Sequence, residues 1–481
     1  MPNTKIVATL GPASDAPEKL RDLIAAGVDV FRLNVSHGEW PEHARRIIAV
    51  RAAAEDSGRH IGILLDLQGP KIRLGKFDGG SCILRAGARF RITTAHVLGS
   101  CELASTGYAE LAQDVKAGDR VLLADGAVEL RALASDGVAV DFEVIVGGAI
   151  GDRKGINLPG VQVSAPSVTE ADVKNLHAGL AAGVDMIAQS FVRTADDVRH
   201  LRSLMGEHNP PVPIIAKIEK PEAYENLQSI LETADGVMVA RGDLGVETSL
   251  ERVPPMQKSI IRRARREGKF VITATQMLES MIERPTPTRA EVSDVANAIY
   301  DGTDAVMLSA ETSVGLFPVE TVRYMTGIAR EAERSINKRG FQDQPMHGSD
   351  PTVPQVMATS AYHAARSAKV AAIVVFTRTG RSAQLVSRYR PPVKIYAVTP
   401  SAEAARTLSV CYGVIPVILP EVRSTDEMLA QMDWMLMERQ LCQRGDTVVF
   451  VAGQPVGHVG TTNLMKIHRV GEIVEDYSTT M

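Results

Sequence analysis

Short apolar runs that alternate with helical stretches constrain the fold of this chain more than any other feature. Three runs of strand length lie in the first third of the sequence, and five more follow residue 167. The runs occupy residues 6–10, 28–33, 61–65, 184–188, 214–218, 236–240, 270–274 and 305–308. Buried parallel strands separated by helices show this pattern, and eight of them predict a (β/α)8 barrel.

Two further regions interrupt or follow these units. Between the third and fourth runs, short alternating strands are separated by Gly and Asp turns, which predicts an inserted, β-rich small-barrel lid. After a polar linker at 341–350, strands and helices alternate again and predict a smaller doubly wound α/β domain. The predicted division assigns 1–67 and 165–342 to a catalytic barrel, 68–164 to the lid, and 343–481 to a C-terminal regulatory domain.

Composition narrows the class of protein. The 481 residues exceed a single core, and 45% hydrophobic but only 4% aromatic residues suit strands packed by Val, Ile, Leu and Ala. A net charge of −4 argues against binding to nucleic acid or to a membrane surface. The four cysteines are far apart, so neither a zinc site nor a disulfide framework is expected. With no apolar leader and no run of ~18 apolar residues, a cytoplasmic location is expected.

Lys217 and Glu219 end the fifth apolar run, and residues two apart on a strand project from the same face. The sixth run leads directly into Asp243, which follows Gly242 on a glycine-rich turn. A lysine and two carboxylates at neighbouring strand ends suggest phosphoryl or enolate chemistry over Mg²⁺. For Lys217 and Glu219 taken alone, an ion pair at the barrel rim is the alternative interpretation.

Polar side chains at the other strand ends favour a catalytic site, because a packed core has no use for them. In a barrel of this kind the carboxyl ends of all strands meet at one mouth. The residues expected there are Arg32, Asn34, Ser36, His37, Asp66, Gln189, Ser190, Lys217, Glu219, Asp243, Thr275, Ser309 and Glu311.

Charge suggests roles for several of these residues. Glu219 and Asp243 offer the hard oxygens that Mg²⁺ prefers, with Mn²⁺ as an alternative ion. Lys217 would offset charge on a transferring phosphoryl group, while Arg32 and Arg73 would grip phosphate bidentately.

The glycine turn and the seventh strand add two further expectations. Gly242 lets backbone N–H groups approach a substrate carboxylate closely, and Thr275 is a poor base that would act only as a relay for water. The sequence contains no P-loop and no protein-kinase H-R-D motif, so any ATP is bound in another way.

Six segments resemble pyruvate kinases in sequence and in order, at 4–14, 31–38, 216–219, 238–245, 273–281 and 307–312. The resemblance covers essentially the whole chain. It implies the reaction phosphoenolpyruvate + ADP + H⁺ → pyruvate + ATP, the last step of glycolysis. It also implies a cytoplasmic homotetramer.

Residue roles follow from the resemblance position by position. Lys217 would support phosphoryl transfer, and Thr275 would lie on the path of the proton that reaches the enolpyruvate carbon. Substrate would be bound by Arg32, Lys217, Gly242, Asp243 and Thr275. The nucleotide would lie against Thr9, Pro12, Arg32, Asn34, His37, Arg73 and Lys154, and a monovalent-cation pocket would include Asn34, Ser36, Asp66 and Leu67.

One departure from the resembled family concerns this cation pocket. Many members carry a glutamate, associated with dependence on K⁺, where this chain has Lys71. A fixed ammonium near the K⁺ position would repel a second cation and could replace its charge. The sequence therefore predicts an enzyme that does not require K⁺. The alternative is that Lys71 only forms a salt bridge with Asp66 or with a lid residue.

A loop in the C-terminal domain predicts regulation by a phosphorylated metabolite. Hydroxyls and a glycine precede an expected helix, an arrangement that can cradle phosphate, although a simple helix cap is the alternative. The resemblance implies a sugar-phosphate or nucleotide effector at this loop, which comprises Thr377, Arg378, Thr379, Gly380, Arg381 and Ser382. A second loop at 453–458 is expected to complete the pocket.

Two other functions stay open at this point. A Mg²⁺-dependent pyruvate aldolase or lyase barrel would also use two carboxylates and an enolate, but it leaves the lid and the C-terminal domain unexplained. A catalytically silent sensor of the same fold is the other alternative, and the intact Lys217, Glu219, Asp243 and Thr275 argue against it.

Overall fold

The computed structural model describes residues 1–207, 211–339 and 351–472. Eight parallel strands form a closed barrel, in which the first strand pairs with both the second and the eighth. The barrel strands are Lys5–Thr9, Val30–Asn34, Gly62–Asp66, Met186–Gln189, Ile214–Ile218, Gly236–Ala240, Phe270–Ala274 and Ala305–Leu308. The predicted (β/α)8 fold is confirmed, and the predicted strands differ from the observed ones by at most two residues at an end.

Helices surround the barrel because alternate strand residues face outward and need cover. Ile6, Phe31 and Ile63 belong to a fully buried outer core shared with the helices. The main helices of this layer are Pro17–Ala26, Trp40–Ser57, Glu170–Ala181, Ala195–Met205, Pro221–Glu225, Leu227–Thr233, Val253–Arg266, Arg289–Asp301 and Pro318–Arg339. Within the described part of the chain, no helix is both long and apolar enough to cross a membrane.

The insertion after the third strand forms a separate β-rich lid with its own apolar core around Phe90, Leu130 and Phe142. A six-stranded sheet contains, in spatial order, Ile156–Asn157, Arg120–Leu123, Val128–Ser135, Ala139–Val146, Arg89–Thr93 and Leu103–Ser105. A second, two-stranded sheet pairs Gly148–Gly151 with Ser81–Leu84. One short helix, Leu111–Asp114, lies between the strands.

The expectation that no cysteines pair is wrong for Cys82 and Cys101, which form a disulfide with their Cα atoms 5.5 Å apart. Their separation along the chain misled the prediction. The intervening chain folds back, because Gly99 N–H donates to the carbonyl of Lys76 and the Gly99 carbonyl accepts from Asp78 N–H. Cys411 and Cys442 are free and buried, and no metal-binding group of cysteines is found among the described residues.

The C-terminal domain is a five-stranded sheet with helices on both sides. Its strands, in spatial order, are Val414–Ile418, Lys394–Thr399, Ala372–Phe376, Thr447–Gly453 and Thr462–Arg469. The last strand is antiparallel and was not predicted, because its polar, exposed residues lack an apolar run. The helices are Val353–Ser367, Arg381–Ser387, Ala402–Thr407 and Thr425–Glu438. The linker predicted at 341–350 lies outside the described residues.

A buried ion pair joins the barrel to the C-terminal domain. Arg390 Nη1 lies 2.9 Å from Asp304 Oδ1, and these side chains are 0% and 5% exposed. Arg390 Nη2 donates to the Gly302 carbonyl at 2.6 Å, and the guanidinium lies 4.5 Å from the centre of the Tyr412 ring. The contact fixes the domain against the amino-terminal end of the barrel, away from the mouth.

Replacing Arg390 with methionine should destabilise the protein strongly, because it leaves the Asp304 carboxylate buried without its cation. We expect a loss of about 3 to 5 kcal/mol and a corresponding fall in the thermal unfolding midpoint measured by calorimetry. Arg334→Met is the matched control, since its ion pair with Glu331 is exposed and is worth about 0 to 1 kcal/mol. Equal unfolding midpoints for the two variants would contradict the assignment.

Candidate active site

The polar residues at the barrel mouth form the uppermost layer of the barrel interior. Alternate residues of a strand share a face. The interior rows that contain Val7, Val30, Leu64 and Ile215 therefore continue, two residues on, with Thr9, Arg32, Asp66 and Lys217. The sequence places these four side chains in one layer although they are far apart along the chain.

Lys217 lies at the centre of this layer and contacts two carboxylates. Its Nζ atom is 2.8 Å from Glu219 Oε1 and 3.4 Å from Asp66 Oδ1, and it donates to Ser190 Oγ at 2.7 Å. The second oxygen of Glu219 accepts from the Phe191 N–H at 2.9 Å. The rim ion pair that was the alternative interpretation thus exists, but it belongs to a larger network inside the mouth.

Arg32 completes the network on the side of the first three strands. Its Nε donates to Asp66 Oδ2 at 2.7 Å, and its Nη1 donates to Thr9 Oγ1 at 3.1 Å. The Thr9 hydroxyl in turn donates to the carbonyl of Leu308 on the eighth strand at 2.8 Å. Asp66, which is 1% exposed, therefore holds two cations, Arg32 and Lys217, side by side.

Burial and charge shift the protonation of these groups. Burial alone would raise the pKa of Asp66, yet Lys217 and Arg32 hold it below its usual value. Burial disfavours the Lys217 ammonium, but Asp66 and Glu219 raise the pKa of Lys217 above the ordinary lysine range. Burial also raises the pKa of Glu219, with Lys217 opposing the shift and the Asp243 carboxylate adding to it. Lys217 therefore remains a cation at neutral pH.

A short helix, Arg241–Glu247, and not the predicted glycine turn, positions Asp243 next to this network. The Gly242 N–H donates to Thr275 Oγ1 at 2.8 Å, and the same hydroxyl donates to the Ala274 carbonyl at 2.6 Å. Thr275 has a left-handed backbone with φ of 68°. Arg241 supports this strained loop by donating to the Thr275 carbonyl at 2.7 Å and by pairing with Asp294. The hydroxyl of Thr275 thus lies next to the backbone of Gly242, at the start of this helix.

A cavity of about 210 Å³ separates the barrel mouth from the lid. Nine of the predicted site residues line it, namely Arg32, Asn34, Ser36, Asp66, Lys71, Ser190, Lys217, Glu219 and Asp243. Eleven do not, namely Thr9, Pro12, His37, Leu67, Arg73, Lys154, Gln189, Gly242, Thr275, Ser309 and Glu311. Of the polar strand ends, Gln189 donates to the Asp197 carbonyl, and Glu311 accepts from the backbone of Leu278 and Ser309. The side chains of Gln189 and Glu311 therefore stabilise the neighbouring backbone at the barrel mouth.

The expected nucleotide residues form a looser group beside the cavity. His37 is largely exposed, yet partial burial of its ring, together with the charges of Arg73, Lys71 and Arg32, lowers its pKa. The same charges place His37 near both lid cations. Pro12 and Lys154 are also exposed.

The fit to a divalent metal ion depends on two carboxylates. Glu219 and Asp243 line the same cavity, and burial, with repulsion from the Asp243 carboxylate as a smaller contribution, raises the pKa of Glu219. Mg²⁺ is commonly held by one or two carboxylates together with substrate oxygens and water. Among the described residues, no group of three or more His, Cys, Asp or Glu side chains is suited to a metal ion. The residues fit an ion that is shared with substrate.

Lys71 lines the cavity together with the expected monovalent-cation residues. The ion-pair partners of Asp66 are Arg32 and Lys217, so the alternative of a Lys71–Asp66 salt bridge is not observed. Asn34 Oδ1 already accepts from the Ser36 N–H at 3.1 Å. Lys71 therefore adds a positive charge to a pocket whose acid is already neutralised.

The predicted effector loop is divided between two surroundings. Thr377 and Arg378 line a cavity of about 80 Å³ with Gly453, Gly457 and His458 of the second loop. Arg378 Nη1 donates to the Gly457 carbonyl at 2.9 Å, and Gly380, at φ 87°, precedes helix Arg381–Ser387.

The other members of this loop contact neighbouring elements. Arg381 donates to the Gly268 carbonyl of the barrel at 3.1 Å, and Ser382 contacts Thr462. Thr379 is exposed. Only part of the predicted loop therefore faces the cavity.

Among the cavity-lining residues that sequence reasoning missed, three form a connected polar group. Lys220 and Glu247 form a buried ion pair, and Asn157 of the lid donates to Glu247 at 3.0 Å. For Lys220 and Glu247 the sequence does contain a signal. Lys220 directly follows Glu219, and Glu247 lies one helical turn after Asp243. Asn157 has no such signal, because only the folded lid brings it to the barrel.

A buried ammonium flanked by carboxylates at a barrel mouth is suited to phosphoryl transfer, so fold and site are those expected of a phosphotransferase barrel. Comparison with known proteins supplies the family. Residues 1–322 match the model "Pyruvate kinase, barrel domain", and residues 355–468 match "Pyruvate kinase, alpha/beta domain". The chain belongs to the pyruvate kinase family.

Similar proteins cover the whole chain. A pyruvate kinase from Geobacillus stearothermophilus is 46% identical over 474 residues, which are 98% of this chain and 81% of that protein. One from Mycobacterium tuberculosis is 46% identical over 468 residues, 97% of this chain and 98% of the relative. A crystal structure of a pyruvate kinase from Cryptosporidium parvum superposes with a TM-score of 0.90 at 36% identity, covering 98% and 96% of the two chains.

Asp66→Asn should show a pH-dependent loss of stability. The lowered pKa means that the Asp66 carboxylate stabilises the folded state fully above its ordinary value of about 3.9 and progressively less as the pH falls below it. The asparagine variant cannot neutralise Arg32 and Lys217 at any pH. Urea unfolding between pH 7 and the onset of acid unfolding should show the largest difference from wild type at neutral pH and a shrinking difference below pH 4. A constant difference would contradict the assigned charge state.

Proposed function

We propose that the cavity at the barrel mouth transfers the phosphoryl group of phosphoenolpyruvate to ADP and then protonates the enolpyruvate to pyruvate. The observation that carries this proposal is the position of Lys217 between Asp66 and Glu219, inside a cavity that Asp243 also lines. Such a site offers positive charge to a migrating phosphoryl group and carboxylate oxygens to a metal ion. The family supplies the identities of the substrates and products.

The residues act by positioning and by electrostatics. Lys217 stays protonated, so it stabilises negative charge on the transferring group and does not serve as a base. Arg32, held by Asp66 and Thr9, presents the rest of its guanidinium to phosphate oxygens. Thr275 lies under Gly242 and would pass a proton from water towards the enolpyruvate carbon, which consumes the H⁺ of the reaction.

Glu219 and Asp243 would hold a Mg²⁺ or Mn²⁺ ion. A bound divalent ion would supply charge neutralisation for the phosphate and enolate oxygens. The protein's own contribution is to fix Glu219, whose Oε2 accepts from the Phe191 N–H while its Oε1 contacts Lys217.

Lys217→Ala tests the proposed reaction directly. Loss of the central cation should lower kcat by at least about 10²-fold, because it stabilises charge that develops during transfer. ADP-dependent pyruvate formation, coupled to a dehydrogenase, provides the measurement, and Lys174→Ala on an exposed helix position provides the control. Full activity in the Lys217→Ala variant would contradict the proposal.

The same assay separates the two alternatives. An aldolase or lyase would form or consume pyruvate without ADP. A silent sensor would bind phosphoenolpyruvate without turnover, so wild-type protein that binds substrate and makes no pyruvate would favour that function.

We further propose that the enzyme does not require K⁺. Lys71 brings a tethered cation to the cavity, while Arg32 and Lys217 already neutralise Asp66, so little negative charge remains for a monovalent ion. Replacing K⁺ with tetramethylammonium at constant ionic strength should leave the steady-state rate unchanged. Lys71→Glu should acquire activation by K⁺, and Lys71→Met should not. Strong activation of the wild type by K⁺ would contradict the prediction.

Allosteric activation by a sugar phosphate or a nucleotide is proposed for the cavity lined by Thr377 and Arg378. Arg378 Nη2 forms an exposed ion pair with Glu421 at 3.2 Å, and an incoming phosphate would compete with Glu421 for this cation. Arg378→Ala should raise the half-activating effector concentration by about tenfold, the worth of one charge-assisted hydrogen bond. Phosphoenolpyruvate saturation curves, recorded with a panel of sugar phosphates and nucleoside monophosphates, provide the measurement. A panel without effect on wild type would contradict this site.

The remaining proposals concern organisation. We propose that catalysis, covering of the cavity and regulation belong to separate units, at 1–67 with 165–342, at 68–164 and at 343–481 respectively. The separate apolar cores of the barrel and the lid support this division. A cytoplasmic homotetramer is what the family leads us to propose, and light scattering of the purified protein tests the tetramer.

A further inference from the structure

Lys220 and Glu247 form an ion pair at the barrel mouth that the proposed reaction does not use. Lys220 Nζ lies 3.2 Å from Glu247 Oε2, and the two side chains are 6% and 4% exposed. Lys220 directly follows Glu219, while Glu247 lies four residues after Asp243 on the same helix, Arg241–Glu247. The pair therefore joins the two segments that carry the proposed metal ligands.

The free oxygen of Glu247 is bound by the lid. Asn157 Nδ2 donates to Glu247 Oε1 at 3.0 Å. Asn157 belongs to the strand Ile156–Asn157, which pairs with Arg120–Leu123, and Ile156 is buried in the lid core. The amide group is thus attached to the body of the lid and moves with it.

Other contacts between lid and barrel lie where the chain passes from one to the other. The N–H groups of Gln68 and Gly69 donate to Asp172 Oδ1 at 2.9 and 3.2 Å, and Arg193 donates to the carbonyl of Val163, next to the point where the chain re-enters the barrel. Because these contacts lie at the connections, a rotation of the lid about them would keep them, whereas it would break the Asn157–Glu247 hydrogen bond.

Energetics argue that the pair has a task beyond stability. Two buried charges lose much of their attraction to desolvation, and an apolar pair of similar volume often stabilises a fold equally well. A buried carboxylate oxygen that loses its donor is unfavourable. The pair therefore favours the lid position that returns the Asn157 amide to Glu247.

We propose that Lys220 and Glu247 are the docking site of the closed lid and that Asn157 engages it. All three are positioning residues, since the docked amide stabilises the pair that holds Glu219 and Asp243 relative to each other. The inference deepens the proposed phosphoryl transfer and rests on it. It explains why the lid is needed to position the residues that line the cavity.

The test compares three variants with wild type in a mutant cycle. Asn157→Ala should lower kcat/KM for ADP by about tenfold, the worth of a hydrogen bond to a charged group. Lys220→Met with Glu247→Met removes the docking site without leaving an unpaired buried charge. Adding Asn157→Ala to that double variant should have no further effect. An Asn157→Ala effect of equal size in both backgrounds would overturn the docking role.

A binding measurement without turnover separates docking from a general loss of structure. Titration of Mn²⁺, followed by electron paramagnetic resonance without substrates, should show at least about tenfold weaker binding in the Lys220→Met, Glu247→Met protein, as expected for residues that orient metal ligands. Unchanged Mn²⁺ affinity would refute the positioning role. The thermal unfolding midpoint should stay close to that of wild type.

Gln113→Ala is the matched control, because it removes an exposed amide elsewhere in the lid. The outcomes also separate this inference from the function on which it rests. A wild type that forms no pyruvate from phosphoenolpyruvate and ADP refutes the proposed function. An active wild type in which Asn157→Ala behaves like Gln113→Ala refutes the docking site alone.

Discussion

The sharing of one ammonium between two carboxylates is the interaction on which the barrel mouth depends. Lys217 bridges Asp66 of the third strand and Glu219 beyond the fifth, and Asp66 extends the same charge network to Arg32 of the second. Each group would be costly to bury alone, and each is stabilised by the next. Removing any one leaves its neighbours with uncompensated charge, so the geometry of the site and its protonation are a single property. The closed barrel supplies the rigid frame that keeps these strand ends in register.

Most of the fold could be predicted because barrel strands carry a strong local signal. Buried strands such as Gly236–Ala240 are apolar along their whole length, so their bounds follow from composition alone. The antiparallel strand Thr462–Arg469 lies at a sheet edge, where exposed polar residues remove that signal. The Cys82–Cys101 pairing was also missed, because it depends on a backbone contact between Gly99 and Lys76 rather than on cysteine spacing. Local pattern predicts elements, whereas contacts between loops must be observed.

The candidate active site and the effector loop were likewise predicted only where a local pattern or the barrel topology determines the contact. Lys217 and Glu219 were predicted to lie together because strand periodicity places them on one face, and barrel topology added Asp66 from a distant segment. Arg381 was grouped with an effector loop by sequence adjacency, yet its side chain reaches the barrel carbonyl of Gly268. The direction of a side chain at a helix start depends on the neighbouring domain, which no local pattern records. Lys220 and Glu247 adjoin predicted site residues in the sequence, but the pairing between them joins two separate segments, which no local pattern records.

The seam between the first and last barrel strands has a consequence for synthesis of the protein. Lys5–Thr9 lies between Val30–Asn34 and Ala305–Leu308, so one edge of the earliest strand has no neighbour until nearly two thirds of the polypeptide has left the ribosome. At ~5 to 20 residues per second, that interval is on the order of tens of seconds. The lid, which carries its own core, can acquire its shape during this time. A chaperone would therefore protect the nascent chain best by binding the exposed edge of this strand.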